Sequence, residues 1–239
     1  MTDRISGSAF KQMITFGAAC VTQQKQAIND LNVFPVPDGD TGTNMSLTIQ
    51  TAVNELKKSE PATVGEAAKI TAGALLRGAR GNSGVILSLL FRGLSKSVKG
   101  LTDMDGAQLA AAMAEGVTTA YGAVMKPAEG TVLTVSRLAA ARAVEAAQEN
   151  PSAEYVLEQA IAAGYETLAQ TIDMNPVLKK AGVVDAGGKG YLIILDGMLR
   201  ALRGEALPQV EEDGEKDQDK ADFGALSLED ITFIYDTVF

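Results

Sequence analysis

Two aspartates separated by one glycine are the residues of this sequence best placed to do chemistry. The stretch 32–44 reads N-V-F-P-V-P-D-G-D-T-G-T-N, with Asp38 and Asp40 after two prolines that stiffen the chain. Two carboxylates about 6 Å apart repel by roughly 3 kcal/mol, whereas a helix N-terminus stabilises an anion by only about 0.3–1 kcal/mol. A divalent cation would remove this repulsion, and an all-oxygen site favours Mg²⁺, Mn²⁺ or Ca²⁺. The alternative is that Asp38 caps a turn, Asp40 caps the next helix, and neither binds metal.

Three glycine-bearing stretches can bring backbone N–H groups to a common anion. Residues 41–44 open a predicted helix directly after the aspartates, and residues 77–87 read R-G-A-R-G-N-S-G-V-I-L, where Asn82 or Ser83 is expected to cap another helix. Residues 183–191, V-V-D-A-G-G-K-G-Y, form a predicted loop around Asp185. The 77–87 stretch lacks the Gly-Lys-Ser/Thr ending of a P-loop, so a simple capped connection between helices is the alternative reading there.

Hydrophobic periodicity predicts about eight main helices and no strand before residue 230. The predicted helices span about residues 8–28, 43–56, 64–79, 105–125, 132–148 and 153–172, with one more after Ser83 and one ending near Leu202. We therefore expect an all-α fold in which the glycine-bearing loops meet at one end of an antiparallel bundle.

Composition excludes several kinds of chemistry and sets the expected boundaries. The chain has no histidine and only Cys20, which rules out Ser-His-Asp catalysis, histidine-bound zinc and an internal disulfide. The net charge of −9 and the lack of a basic patch disfavour nucleic acid as a partner. No apolar run is long enough for a membrane span and no signal peptide is visible, so we expect a cytoplasmic protein.

The change of character after Gly204 indicates where the helical domain ends. We expect a domain over residues 1–207, an acidic linker over 208–226, and the start of a following domain over 227–239. The last segment is rich in β-branched and aromatic residues, and the alternative is a strand that docks elsewhere or swaps into a neighbour.

Four motifs together resemble a known family. These are N-V-F-P-V-P-D-G-D-T-G-T-N (32–44), G-A-R-G-N-S-G-V-I-L-S (78–88), M-K-P-A-E-G-T-V-L-T (125–134) and G-V-V-D-A-G-G-K-G (182–190). In this order they resemble the N-terminal kinase domain of bacterial fatty acid kinases, which is related to the nucleotide-binding L domain of dihydroxyacetone kinases. The resemblance covers residues 1–207.

The resemblance implies an eight-helix barrel that binds ATP or ADP with Mg²⁺, two ions being expected, at one end. Asp38 and Asp40 match the catalytic acids that hold magnesium. The place of a third acid in dihydroxyacetone kinases falls near Asn32, which is the predicted third ligand, with Asp30 as a neighbouring alternative. The residues that match nucleotide contacts are Thr41, Gly42, Thr43, Asn44, Asn82, Ser83, Gly84, Thr131, Val132, Leu133, Asp185, Gly187 and Gly188.

The implied reaction is phosphorylation of a fatty acid, held by a separate fatty-acid-binding carrier subunit, to an acyl phosphate. A homodimer formed through domains beyond this chain is also implied, and the isolated fragment is expected to transfer phosphate poorly. Two alternatives stay open: a kinase domain acting on a small polyol such as dihydroxyacetone, and a non-catalytic module that binds nucleotide or metal.

Overall fold

The computed structural model describes residues 2–208, which form ten helices and two short strands. In chain order these are β1 (Arg4–Ser6), α1 (Gly7–Gln23), α2 (Lys25–Asn29), α3 (Thr41–Lys57), α4 (Val64–Arg77), α5 (Gly81–Ser97), β2 (Asp103–Asp105), α6 (Gly106–Ala123), α7 (Val132–Glu149), α8 (Ala153–Met174), α9 (Pro176–Ala181) and α10 (Ala186–Leu202). The predicted segment 227–239 and all of the predicted linker except Pro208 lie outside the described residues.

Eight long helices form a closed ring around one apolar core. Each of α1, α3, α4, α5, α6, α7 and α8 packs against the next long helix of the chain, and α10 packs against both α8 and α1. The closing contact is tight, since a Cβ on Gly197 would lie 2.8 Å from the Cα of Gly17. The all-α fold with eight main helices is therefore confirmed.

Side-chain caps set several of the helix starts. Ser6 accepts a hydrogen bond from the Ala9 N–H at 3.2 Å and begins α1. Asn175 accepts from the Val177 N–H, with Pro176 at the first helical position of α9. The cap predicted for α5 was wrong, because this helix begins at Gly81 and places Asn82 and Ser83 within its first turn.

Three further predictions about the elements need correction. β1 and β2 pair in antiparallel register, with Ile5 opposite Met104 and both fully buried, although no strand was expected before residue 230. Three-residue strands are too short to show an alternating pattern. The first helix does not run unbroken to residue 28, since it divides at Gln24. The predicted loop 183–191 is largely helical from Ala186 onwards.

No helix within residues 2–208 combines the length and the apolar character that crossing a bilayer requires.

Candidate functional site

The two aspartates lie in the turn between α2 and α3, and a buried asparagine holds the first of them. Asn32 is only 7% exposed, and its Nδ2 donates hydrogen bonds to Val36 O at 2.6 Å and to Asp38 Oδ1 at 3.2 Å. Asp38 itself is exposed and Asp40 is half-buried. Asp40 occupies the N-cap position of α3, yet its side chain accepts no capping hydrogen bond there. The alternative in which Asp40 caps this helix with its side chain is therefore wrong.

The side chain that caps α3 is Asn29, from the last turn of α2. Its Oδ1 accepts hydrogen bonds from the N–H groups of Gly42 at 2.7 Å and Thr43 at 3.1 Å, and its Nδ2 donates to Thr43 Oγ1 at 3.0 Å. Gly42 allows this close approach, because a Cβ there would lie 2.1 Å from Lys25 O. Two of the N–H groups expected to meet phosphate thus already have a partner within the protein. Asn29 was not predicted, because its only signal in the sequence is an amide side chain just before the proline turn.

The N-terminus of α5 lies against the first two turns of α3. Gly81 has a left-handed φ of 57°, and a Cβ on it would lie 2.4 Å from Asn44 Nδ2. A Cβ on Gly84 would lie 2.4 Å from Thr48 Oγ1, a hydroxyl that accepts from the Arg80 N–H at 3.1 Å. Asn44 and residues 81–84, predicted separately from two motifs, are therefore brought together. Thr48 was not predicted, since it reads as an ordinary helix position.

The N-termini of α7 and α10 are joined through the buried carboxylate of Asp185. Its Oδ2 accepts from the Gly188 N–H at 2.6 Å, and the Val132 N–H lies close enough to lower the pKa of this carboxylate. Burial raises the pKa of Asp185 from 3.8 to about 6, against the lowering effect of these two backbone donors. A Cβ on Gly187 would lie 3.3 Å from Val132 Cβ, so the two helix starts are in contact. Of the predicted neighbours, Thr131 is the N-cap residue of α7 and Leu133 is buried in the core.

One further contact connects the α3 and α5 pair with the α7 and α10 pair. A Cβ on Gly190 of α10 would lie 2.6 Å from Met45 Sδ, in the first turn and a half of α3. The N-termini of α3, α5, α7 and α10 are thus linked by a chain of close contacts at one end of the ring. Each helix N-terminus carries a partial positive charge and exposes N–H donors. Four of them at one end make a region suited to a multiply charged anion such as a polyphosphate.

The turn before α7 is held by a hydrogen-bond network that was not predicted from the sequence. Thr134 Oγ1 accepts from the Gly130 N–H and donates to Glu129 Oε2, both at 2.9 Å. Glu129 in turn pairs with Arg137 at 2.8 Å. These bonds fix the approach of the chain to Thr131 and Val132.

The oxygen atoms around the aspartates fit a hard divalent cation. Within the described chain, the Asp40 carboxylate accepts no hydrogen bond, and the Asp38 carboxylate accepts only the bond from Asn32. Carboxylate oxygens with free lone pairs are the ligands that Mg²⁺ and Mn²⁺ prefer. No group of three or more His, Cys, Asp or Glu side chains within residues 2–208 is arranged to hold a metal. The role of Asn32 as a third ligand stays a prediction.

Comparison with known proteins shows the family of this chain. The DAK2 domain family matches residues 35–200, which is more than half of the chain. The chain belongs to the DAK2 domain family. An uncharacterized protein of Staphylococcus haemolyticus is 43% identical to it over 241 residues, which covers 99% of this chain and 44% of that protein. Uncharacterized proteins of Staphylococcus aureus strains RF122 and USA300 show the same identity and coverage. This DAK2 domain chain therefore spans less than half the length of these relatives.

The fold of the DAK2 domain also has a counterpart among solved structures. The crystal structure of the dihydroxyacetone kinase of C. freundii in its native form matches with a TM-score of 0.57 and 17% sequence identity. The match covers 84% of this chain and 36% of that one. At this identity the likeness concerns the fold alone.

Proposed function

We propose that this DAK2 domain binds Mg-ATP and acts as the phosphoryl-donor domain of a kinase whose acceptor is the carboxylate of a carrier-bound fatty acid. The observation that carries the proposal is the meeting of four helix N-termini, those of α3, α5, α7 and α10, beside two carboxylates with free oxygens. Membership of the DAK2 family and the fold likeness to a dihydroxyacetone kinase support kinase chemistry. The four sequence motifs support the fatty acid as acceptor.

The residues divide into those that would hold the cation and those that would hold the nucleotide. Asp38 and Asp40 would bind magnesium, which neutralises phosphate charge and orients the group to be transferred. The first turn of α5, with Asn82, Ser83 and Gly84, would donate backbone and side-chain hydrogen bonds to phosphate oxygens. The nucleotide would lie along the joined N-termini of α7 and α10.

On the α3 side, the phosphates would meet a different set of donors from those first expected. Asn29 already accepts from the N–H groups of Gly42 and Thr43. The Thr43 hydroxyl accepts from Asn29 Nδ2, so its own proton remains available to a phosphate oxygen. The Asn44 amide lies next to Gly81, where α5 begins. The contribution of α3 would thus come mainly from side chains.

A carboxylate acceptor suits a chain without histidine. A fatty acid is ionised at neutral pH, so its oxygen can attack the γ-phosphorus without a general base. The new bond joins the carboxylate oxygen to phosphorus, the bond between this phosphorus and the β,γ-bridging oxygen breaks, and ADP leaves with that bond's electrons. The products are an acyl phosphate and ADP. The part of the relatives' length that lies outside this chain would supply the acceptor side, including contacts to the carrier subunit.

A second candidate is a kinase for a small polyol such as dihydroxyacetone. It is favoured by the fold likeness to a dihydroxyacetone kinase. A hydroxyl acceptor must lose its proton during transfer, which requires a base that a carboxylate acceptor does not need.

Two experiments test the proposal in sequence. Calorimetric titration of ADP into the chain should give binding that requires Mg²⁺. This binding should be lost in the double variant that carries both Asp38→Asn and Asp40→Asn. Absence of Mg-dependent binding by the natural sequence would refute the nucleotide role. Mass spectrometry of the full-length protein with ATP, Mg²⁺ and a carrier loaded with fatty acid should then detect acyl phosphate. Phosphorylated dihydroxyacetone as the product would favour the second candidate, and nucleotide binding without any product would indicate a non-catalytic module.

A further inference from the structure

Asn32 is a buried carboxamide whose orientation is fixed by its neighbours. The residue is 7% exposed, and one of its side-chain polar atoms lies 2.6 Å from the carbonyl oxygen of Val36. A carbonyl oxygen can only accept a hydrogen bond, so the atom that faces it must be the NH₂ group. The amide oxygen of Asn32 therefore points the other way, towards α3.

All the hydrogen-bonding groups of this carboxamide are used within the protein. The NH₂ group donates to both Val36 O and Asp38 Oδ1, while Oδ1 accepts the hydroxyl proton of Thr41, which is 8% exposed. The result is a relay of three residues, Thr41 to Asn32 to Asp38, that crosses the turn. It fixes one carboxylate oxygen of Asp38 and leaves the second oxygen of that group without a donor from residues 2–208.

We propose that Asn32 is a positioning residue that orients Asp38 for a divalent cation and is not itself a ligand of that cation. This inference rests on the proposed function, because it takes Asp38 as a cation ligand. A ligand would have to present its oxygen to the ion beside Asp38, whereas the NH₂ group of Asn32 faces Asp38 and its only side-chain oxygen is directed to Thr41. The group of Asn32 that faces Asp38 is a hydrogen-bond donor, which repels a cation.

The same geometry explains why an asparagine suits this position better than an aspartate would. With Asp at position 32, a carboxylate oxygen would replace the NH₂ group opposite Val36 O and Asp38 Oδ1. This buried oxygen would then face two other hydrogen-bond acceptors, Val36 O and Asp38 Oδ1, with no proton between them. Asp38 would also lose the donor that holds it. If Asn32 were instead a ligand, an aspartate would be the stronger ligand and would tighten cation binding.

Asn32→Asp therefore separates the two roles, with Asn54→Asp as the matched control. Asn54 lies on the exposed side of α3, so its substitution adds the same charge without touching the turn. In EDTA, Asn32→Asp should unfold at a lower temperature than the control, since the three-residue relay does not need metal. With Mg²⁺ in excess, calorimetric titration of ADP should give an affinity about 10- to 100-fold weaker than that of the natural sequence, the usual effect of losing a group that orients a ligand. An affinity equal to or tighter than that of the natural sequence would overturn the proposal.

A measurement on the natural sequence keeps the proposal testable if Asn32→Asp does not fold. The Asn32 side-chain NH₂ protons, followed by NMR of the ¹⁵N-labelled chain in EDTA, should exchange with solvent much more slowly than those of the exposed Asn54. Exchange as fast as that of Asn54 would overturn the proposed orientation. Failure of the natural sequence to bind Mg-ADP would instead refute the proposed function, and these exchange rates do not depend on it.

Discussion

Ionisation of Asp185 should lower the stability of this protein as the pH rises from 4 to 7, relative to a chain that lacks this carboxyl group. Asp185 is 5% exposed, and burial raises the pKa of its carboxyl group from 3.8 to about 6 in the folded chain. Below pH 3.8 the group is neutral in both the folded and the unfolded state, so it has no cost. Above pH 6 it is charged in both states, and the folded state then carries the cost of a buried charge. At about 1.36 kcal/mol for each tenfold change in the ionisation constant, the full cost is roughly 3 kcal/mol.

The comparison of Asp185→Asn with the natural sequence isolates this contribution. Between pH 4.5 and pH 7.5 the free energy of unfolding of the natural sequence should fall by about 2 kcal/mol more than that of Asp185→Asn, because only part of the titration lies in this range. Urea unfolding followed by circular dichroism at both pH values measures it. Identical pH dependence in Asp185→Asn and the natural sequence would refute the reasoning.

Three further predictions concern the turn between α2 and α3. Gly42→Ala should lower the free energy of unfolding by roughly 3 kcal/mol, since its Cβ would lie 2.1 Å from Lys25 O. The control Gly122→Ala, which has open space around it, should not destabilise the protein. Equal effects of the two substitutions on thermal unfolding would contradict the packing. Asn29→Ala should cost about 1 kcal/mol through loss of the α3 cap, and an unchanged unfolding midpoint would count against that cap. Asp40→Asn should weaken Mg-ADP binding at least about tenfold. It should not lower stability in EDTA, because Asp40 makes no capping bond. A large loss of stability would instead assign Asp40 a structural role.

The long helices could be predicted from the sequence because their apolar residues repeat with helical spacing over many turns. Met45, Ile49 and Leu56 of α3 are buried as that pattern requires. Helix starts were predictable where a side chain caps its own helix, as Ser6 does in α1. The start of α3 could not be assigned in this way, because its cap Asn29 belongs to the preceding helix and reaches across the proline turn.

Glycine-rich segments were the least predictable part of the candidate site. Gly187, Gly188 and Gly190 suggested a loop, yet all three lie within α10, where their lack of a Cβ admits Val132, Val135 and Met45. Tertiary packing therefore decides their conformation, and a single sequence does not show which helix will come close. The contacts of Asn32 have the same character, since its partners follow four to nine residues later across the turn.

The central claim is that one end of the ring, where α3, α5, α7 and α10 begin, receives the phosphates of a metal-bound nucleotide. Paramagnetic broadening by Mn-ADP in NMR spectra of the ¹⁵N-labelled chain tests this directly, with Mg-ADP as the diamagnetic reference. Broadening should be strongest for the backbone amides of Asp40, Asn44, Ser83, Val132 and Gly188. Broadening centred on the opposite end of the helices, or none at all at saturating Mn-ADP, would contradict it.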